Sequence, residues 1–326
     1  MQILDTGGPE ADARVDVAIV GGGPGGPGGL TAALYLARFR RTVALIDANQ
    51  SRAAKIARSH NVPGFPEGIA GATLLASLRS QLAPYPVRTV MATVERVERE
   101  ADGFRVRWGS GDVRARLLLL ATGVTDIAPA MPHLLEALRT GVSRYCPVCD
   151  GYEVIDRAVG VFADGPAGVA EAVYLRHFSA DVVLFMEGGA RALAPAERER
   201  LARAGIACPE EPVRSIRHWN DRVTVVHGER ETRRDALYCA LGVDVHAHLA
   251  RALGATTREG GYVAVDAHHA SDVDGLYAIG DVAQGLNQIA VAAGGAAVAA
   301  SAMHRRLGTR GMPVAPADHP RPGAAP

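Results

Sequence analysis

The chain has 326 residues, enough for about two domains of ordinary size. Its 35 Lys and Arg balance 35 Asp and Glu, and a net charge of zero argues against broad, charge-driven binding to nucleic acid or anionic lipid. Hydrophobic residues make up 48% and charged residues 21%, too apolar a mixture for a globally disordered chain. Residues 1–14 hold Asp5, Glu10 and Asp12 and no apolar signal core, and the longest near-apolar run, 289–303, is too short for a membrane span. A cytoplasmic protein with no membrane partner is expected. Four cysteines, Cys146, Cys149, Cys208 and Cys239, are too few for a secreted disulfide framework.

Residues 1–14 read as a disordered leader. The apolar run 15–20 predicts a buried strand, 21–29 a glycine loop, 30–38 a helix and 42–46 a second strand ending at Asp47, together a βαβ unit. Residues 48–72 are irregular. A helix is predicted over 71–82 and short strands over 87–98, 104–108 and 114–120. A second βαβ unit follows, with strand 158–162, loop 163–168, helix 169–178 and strand 181–186. Beyond it lie an exposed helix over 194–204, weak strands over 213–218 and 222–226, and the segments 236–241, 262–265 and 275–281. A small-residue helix over 288–306 precedes a Pro-, Ala- and Gly-rich tail from 309 that reads as disordered. Two similar units about 140 residues apart suggest a duplicated dinucleotide-binding fold of the α/β class.

In such a unit glycines let the backbone approach a pyrophosphate, and the N–H groups and dipole of the following helix hold the anion. The loop here reads Gly-Gly-Gly-Pro-Gly-Gly-Pro-Gly-Gly over 21–29, three residues longer than the pattern needs. Gly21 and Gly23 pair with either Gly26 or Gly29 as third glycine, and Gly29 is favoured because it abuts the predicted helix. Asp47 is placed to accept bonds from a ribose diol. The bland alternative is a flexible glycine-rich loop. The whole strand–loop–helix–strand–acid context argues against it.

Cys146-Pro-Val-Cys149-Asp150-Gly151 carries the chemistry. Two thiols at this spacing close a small disulfide ring, a helix N-terminus lowers a thiol pKa, and an adjacent carboxyl can shuttle a proton. A zinc site needs a second ligand pair, which the isolated Cys208 and Cys239 do not offer, so no metal is expected.

This motif between two dinucleotide units resembles the low-molecular-weight thioredoxin reductase family over 15–307. The resemblance implies two Rossmann-like domains of the three-layer ββα type. An FAD domain over 1–126 and 243–326 would hold an inserted NAD(P)-type domain over 127–242 that carries the cysteines. It implies FAD contacts from Asn61, from Gly280 and Asp281, and from Gln288, Ile289 and Ala290. The family has Arg-Gln-Ala where this chain has Asn287-Gln288-Ile289, so one cationic contact is missing. It implies that Cys149 faces the flavin, Cys146 attacks the partner disulfide and Asp150 acts as the acid. Homodimers and a rotation of one domain against the other are usual in the family.

The second glycine loop departs from the family. It reads Ala163-Asp-Gly165-Pro-Ala-Gly168, with alanine for the first glycine and a stiffening Pro166. The next strand ends at Glu187, where the family carries arginines for a 2′-phosphate. A carboxylate repels that phosphate and can accept from a 2′-hydroxyl, so NADH is favoured over NADPH. The expected function is electron transfer from NAD(P)H through FAD and the cysteine pair to a thioredoxin-like protein or a small disulfide. The alternatives are a dithiol oxidase or a ferredoxin-dependent reductase that uses no nicotinamide, and, more remotely, a non-catalytic redox sensor.

Overall fold

A computed structural model describes residues 14–21, 26–109, 111–283 and 285–308. The leader, the tail, Gly23 and Pro24 lie outside the described residues. In chain order the elements begin with β1 (Val15–Val20), α1 (Pro27–Arg38), β2 (Val43–Asp47), α2 (Gly71–Leu82), β3 (Val87–Met91), β4 (Arg96–Glu100), β5 (Gly103–Trp108), β6 (Gly111–Leu120) and β7 (Val124–Asp126). They continue with α3 (Leu134–Arg139), β8 (Ser143–Arg144), α4 (Pro147–Asp150), β9 (Val159–Ala163), α5 (Pro166–Leu175), β10 (Val182–Met186), α6 (Pro195–Arg203), β11 (Val213–Trp219), β12 (Arg222–His227), β13 (Arg230–Arg234), β14 (Ala236–Ala240) and β15 (Val243–Val245). Last come α7 (His248–Ala252), β16 (Leu276–Ala278) and α8 (Ile289–Leu307).

The chain divides into two compact units. The first comprises residues up to Ala54, Ala72–Val124 and the chain from Val245; the second comprises Lys55–Gly71 and Thr125–Asp244. The chain leaves the first unit through β7 and returns through β15, and these two strands pair.

The first unit is built on a sheet of order β3-β2-β1-β6-β5-β4, with β16 also on β6. β1, β2 and β16 are apolar throughout or nearly so and pair in parallel, as strands covered on both faces should be. The predicted strand 87–98 is two strands. β3 runs parallel beside β2, whereas β4 runs antiparallel beside β5. The run 262–265 forms no strand; Val263 only bridges singly to Thr257 and Ala283.

α1 starts at Pro27, not at residue 30, because proline at the first helical position loses no hydrogen bond and has its φ already set. α8 packs along α1 through buried Ala292, Ala296, Ala299 and Ala300, whose small side chains let the axes come close. Arg41 is 4% exposed and closes the far end of α8. Its Nε donates to His304 Nδ1 (3.0 Å), and its Nη2 donates to the carbonyls of His304 (3.1 Å) and Gly308. Burial, together with the Arg41 charge, holds the His304 pKa below its ordinary value, which keeps Nδ1 an acceptor. Replacing Arg41 by Met should cost about 3 kcal/mol in urea unfolding, since charged hydrogen bonds are lost and helix-end carbonyls are left unpaired.

The second unit has a parallel sheet of order β10-β9-β14-β8 and an antiparallel sheet of order β11-β12-β13. α5 links β9 to β10 and lies against both. Gly168 makes that approach close. A Cβ added there would sit 2.1 Å from Ala163 Cβ. α5 also starts earlier than predicted, at Pro166, for the same reason as α1.

Candidate active site

Cys146 and Cys149 are joined by a disulfide with Cα atoms 5.3 Å apart. Cys146 is the N-cap of α4. Its Sγ accepts from the Cys149 N–H at 3.2 Å, and its carbonyl accepts from the same N–H at 3.0 Å. α4 is a single turn followed by a 3-10 turn over Gly151–Val154. The dipole of so short a helix is small. The Cys149 N–H is a direct donor to Cys146 Sγ, independent of helix length.

Asp150 closes the turn. Its Oδ2 lies 2.7 Å from Arg144 Nη1, and its Oδ1 accepts from the Tyr238 hydroxyl at 2.8 Å. The same hydroxyl reaches the Asp150 carbonyl at 3.1 Å. Burial raises the Asp150 pKa, and Glu153 adds to the rise, while Arg144 and the Tyr238 bond oppose it. Tyr238 is fully buried, and burial together with Asp150 raises its own pKa well above the ordinary phenol.

The segment Lys55–Gly71 belongs to this unit, although it follows β2 in sequence. Asn61 Nδ2 donates to the Val148 carbonyl (3.4 Å), and His60 Nδ1 lies 2.7 Å from Glu153 Oε1. A pocket of about 300 Å³ opens beside Cys149 between His60, Tyr152, Glu153 and Phe178. Glu153 Oε2 is buried without a hydrogen-bond partner.

Sequence reasoning missed Arg144, Tyr238, His60 and Glu153 as site residues. Only Glu153, three positions after Asp150, carried a local signal. Cys208 and Cys239 have thiols pushed by burial up to about 11 and about 12, which makes them poor nucleophiles.

At the other predicted loop of this unit, Ala163 is the last residue of β9 and keeps a negative φ, so alanine fits there. Gly165 is the extended N-cap of α5 and leaves that helix without a side-chain cap. Glu187 follows β10, is exposed, and donates its N–H to the Ala163 carbonyl at 2.8 Å. The backbone of Glu187 is thus fixed beside the start of the loop.

In the first unit four of the predicted cofactor residues lie at the carboxyl ends of parallel strands of one sheet. Gly21 follows β1, Asp47 ends β2, and Gly280 and Asp281 follow β16. Gly21 has φ +80°, and Gly26 is the extended N-cap of α1. Gly29 is the third residue of α1 and buried, so it does not precede the helix as predicted. Asp281 Oδ2 lies 3.4 Å from Arg52 Nη1. Gln288 is the N-cap of α8, with Ile289 and Ala290 in its first turn. Neither α1 nor α8 has a side-chain hydrogen bond capping its N-terminus. Among the described residues no helix is long and apolar enough to cross a membrane.

A family model described as pyridine nucleotide-disulphide oxidoreductase matches residues 15–296. A thioredoxin reductase of Mycolicibacterium smegmatis is 28% identical over 305 residues, covering 88% of this chain and 94% of that one. Two solved structures superpose with a TM-score of 0.82 each. One is HlmI, 31% identical, with 90% of this chain and 92% of that chain covered. The other is the thioredoxin reductase from Streptococcus pyogenes MGAS5005, 26% identical, with 91% and 99% covered. The family match runs from β1 into α8 and takes in both βαβ units and the bridged cysteines. On that ground the chain belongs to the pyridine nucleotide-disulphide oxidoreductases, as an FAD-dependent disulfide oxidoreductase of the thioredoxin reductase-like class.

Proposed function

We propose that the enzyme passes electrons from NADH, in preference to NADPH, to the Cys146–Cys149 bridge and on to the disulfide of a thioredoxin-like protein. Bound FAD supplies the two-electron store between nicotinamide and bridge. Gly21, Gly26, Gly29 and the first turn of α1 would hold its pyrophosphate, Asp47 its ribose, and Asp281 with the start of α8 the flavin end. Two electrons open the bridge to two sulfurs. Cys146 as thiolate attacks the partner disulfide, and one partner sulfur leaves. Cys149 then attacks Cys146 Sγ in the mixed disulfide, the second partner sulfur leaves, and the bridge re-forms with the partner as dithiol. Asp150 gives or takes the proton of that exchange. The observation that carries this assignment is the Cys149 N–H on Cys146 Sγ, which favours charge on Cys146 when the bridge opens.

Glu187 supports the choice of nicotinamide. It directly follows β10, while Asp47 is the last residue of β2, so each acid stands at the carboxyl end of the second strand of a βαβ unit. Anaerobic titration followed by flavin absorbance tests it. NADH should bleach the flavin at low concentration and NADPH only at high concentration, and equal bleaching would overturn the assignment. Glu187→Arg should raise kcat/KM for NADPH about tenfold, equivalent to about 1.4 kcal/mol of removed repulsion.

A second reading rests on the pocket beside Cys149. The enzyme would oxidise a small dithiol to its disulfide and hand the two electrons to molecular oxygen. No bleaching by either nicotinamide, with rapid bleaching by a small dithiol, would favour it.

A further inference from the structure

The parallel pairing of β14 with β8 sets Tyr238 directly opposite Arg144, so the two side chains leave adjacent strands on the same face. Both end on Asp150, one on each carboxylate oxygen. Arg144 is 13% exposed and Asp150 24%, so water screens the pair only partly. Arg144 Nε is buried without a partner, which leaves the Asp150 contact as the main return on burying that guanidinium.

We propose that Arg144 and Tyr238 are positioning residues that clamp the Asp150 carboxylate against the sheet and set the pH at which it exchanges its proton with the cysteine pair. The inference rests on the proton-handling role given to Asp150 above. The groups facing Asp150 act with opposite signs. Arg144 and the Tyr238 hydroxyl favour the carboxylate, while burial and Glu153, which is held by His60, favour the acid. Tyr238 is too hard to ionise to move a proton itself, so it orients and Asp150 exchanges.

The signs make the test. FAD-loaded protein is reduced with two electron equivalents of dithionite and mixed with a nitrophenyl disulfide from pH 5 to 9, and the rate of bridge re-formation is followed. Asp150→Asn should remove one ionisation from the profile. Arg144→Gln should move that ionisation to higher pH by about one to three units, the range for losing an adjacent opposite charge. Tyr238→Phe should move it upward by less, Arg144→Lys should restore part of the shift, and Glu153→Gln should move it downward.

A loss of rate in the Arg144 and Tyr238 variants at unchanged pH midpoints would overturn the clamp, as would shifts of one sign in all variants including Glu153→Gln. If Asp150→Asn itself leaves the profile unchanged, the role given to Asp150 fails instead. Tyr238→Phe keeps the buried ring, so it stays informative should Arg144→Gln not fold.

Discussion

Cys146→Ser and Cys149→Ser each reduce turnover with any disulfide partner by about a thousandfold or more, the scale of removing a covalent participant. They fail differently. With Cys149 replaced, Cys146 still has the Cys149-position backbone N–H that bonds its sulfur, because that donor is not a side chain. It attacks the partner, no second thiol expels the partner sulfur, and a mixed disulfide builds up. With Cys146 replaced, the remaining thiol lacks that N–H contact, and no mixed disulfide builds up. Mass spectrometry of the protein mixed with a thioredoxin-like disulfide distinguishes the two. Both variants should keep bound flavin, since neither cysteine lies in the unit that carries the proposed pyrophosphate and ribose contacts. Equal trapping by both would show that either sulfur can attack, and the order assigned here would fall.

What could be seen in the sequence divides along physical lines. Strands buried on both faces announce themselves as unbroken apolar runs, so β1, β9, β10 and β14 stood near their true positions. Gly-Pro-rich stretches read as loop, yet Pro27 and Pro166 open helices, because the tolerance of proline for the first turn is positional and not compositional. The cysteine bridge was legible because its chemistry sits within one local motif. The Asp150 clamp was not. Arg144 and Tyr238 lie far apart in the chain, and only the register of a two-residue strand against β14 brings them together. The place of residues 55–71 was hidden for a similar reason: the His60–Glu153 and Asn61–Val148 contacts span some 90 positions and have no periodic signature.

Gly21→Ala should yield a protein that unfolds about 3 kcal/mol more easily and purifies with little or no flavin. The residue sits where β1 gives way to the glycine turn, and its N–H is held by the Ile46 carbonyl at 2.8 Å. Its φ of +80° alone costs an alanine about 1 kcal/mol. A Cβ would also lie 2.6 Å from the Ala121 oxygen and 2.8 Å from Thr122 Cα, backbone atoms at the end of β6 that cannot swing aside as a side chain would. Relief requires β1 and β6 to part at their carboxyl ends, or the turn to lift, and overpacking of this kind costs about 2 kcal/mol more. Either movement displaces the backbone that is to meet the pyrophosphate. Gly254 supplies the control: it has φ +84° in the same unit, with nothing within 4 Å of an added Cβ. Gly254→Ala should therefore cost only the backbone strain, about 1 kcal/mol, and leave the protein yellow. Flavin retained by Gly21→Ala at wild-type stoichiometry would show that β1 and β6 can open without disturbing the cofactor turn.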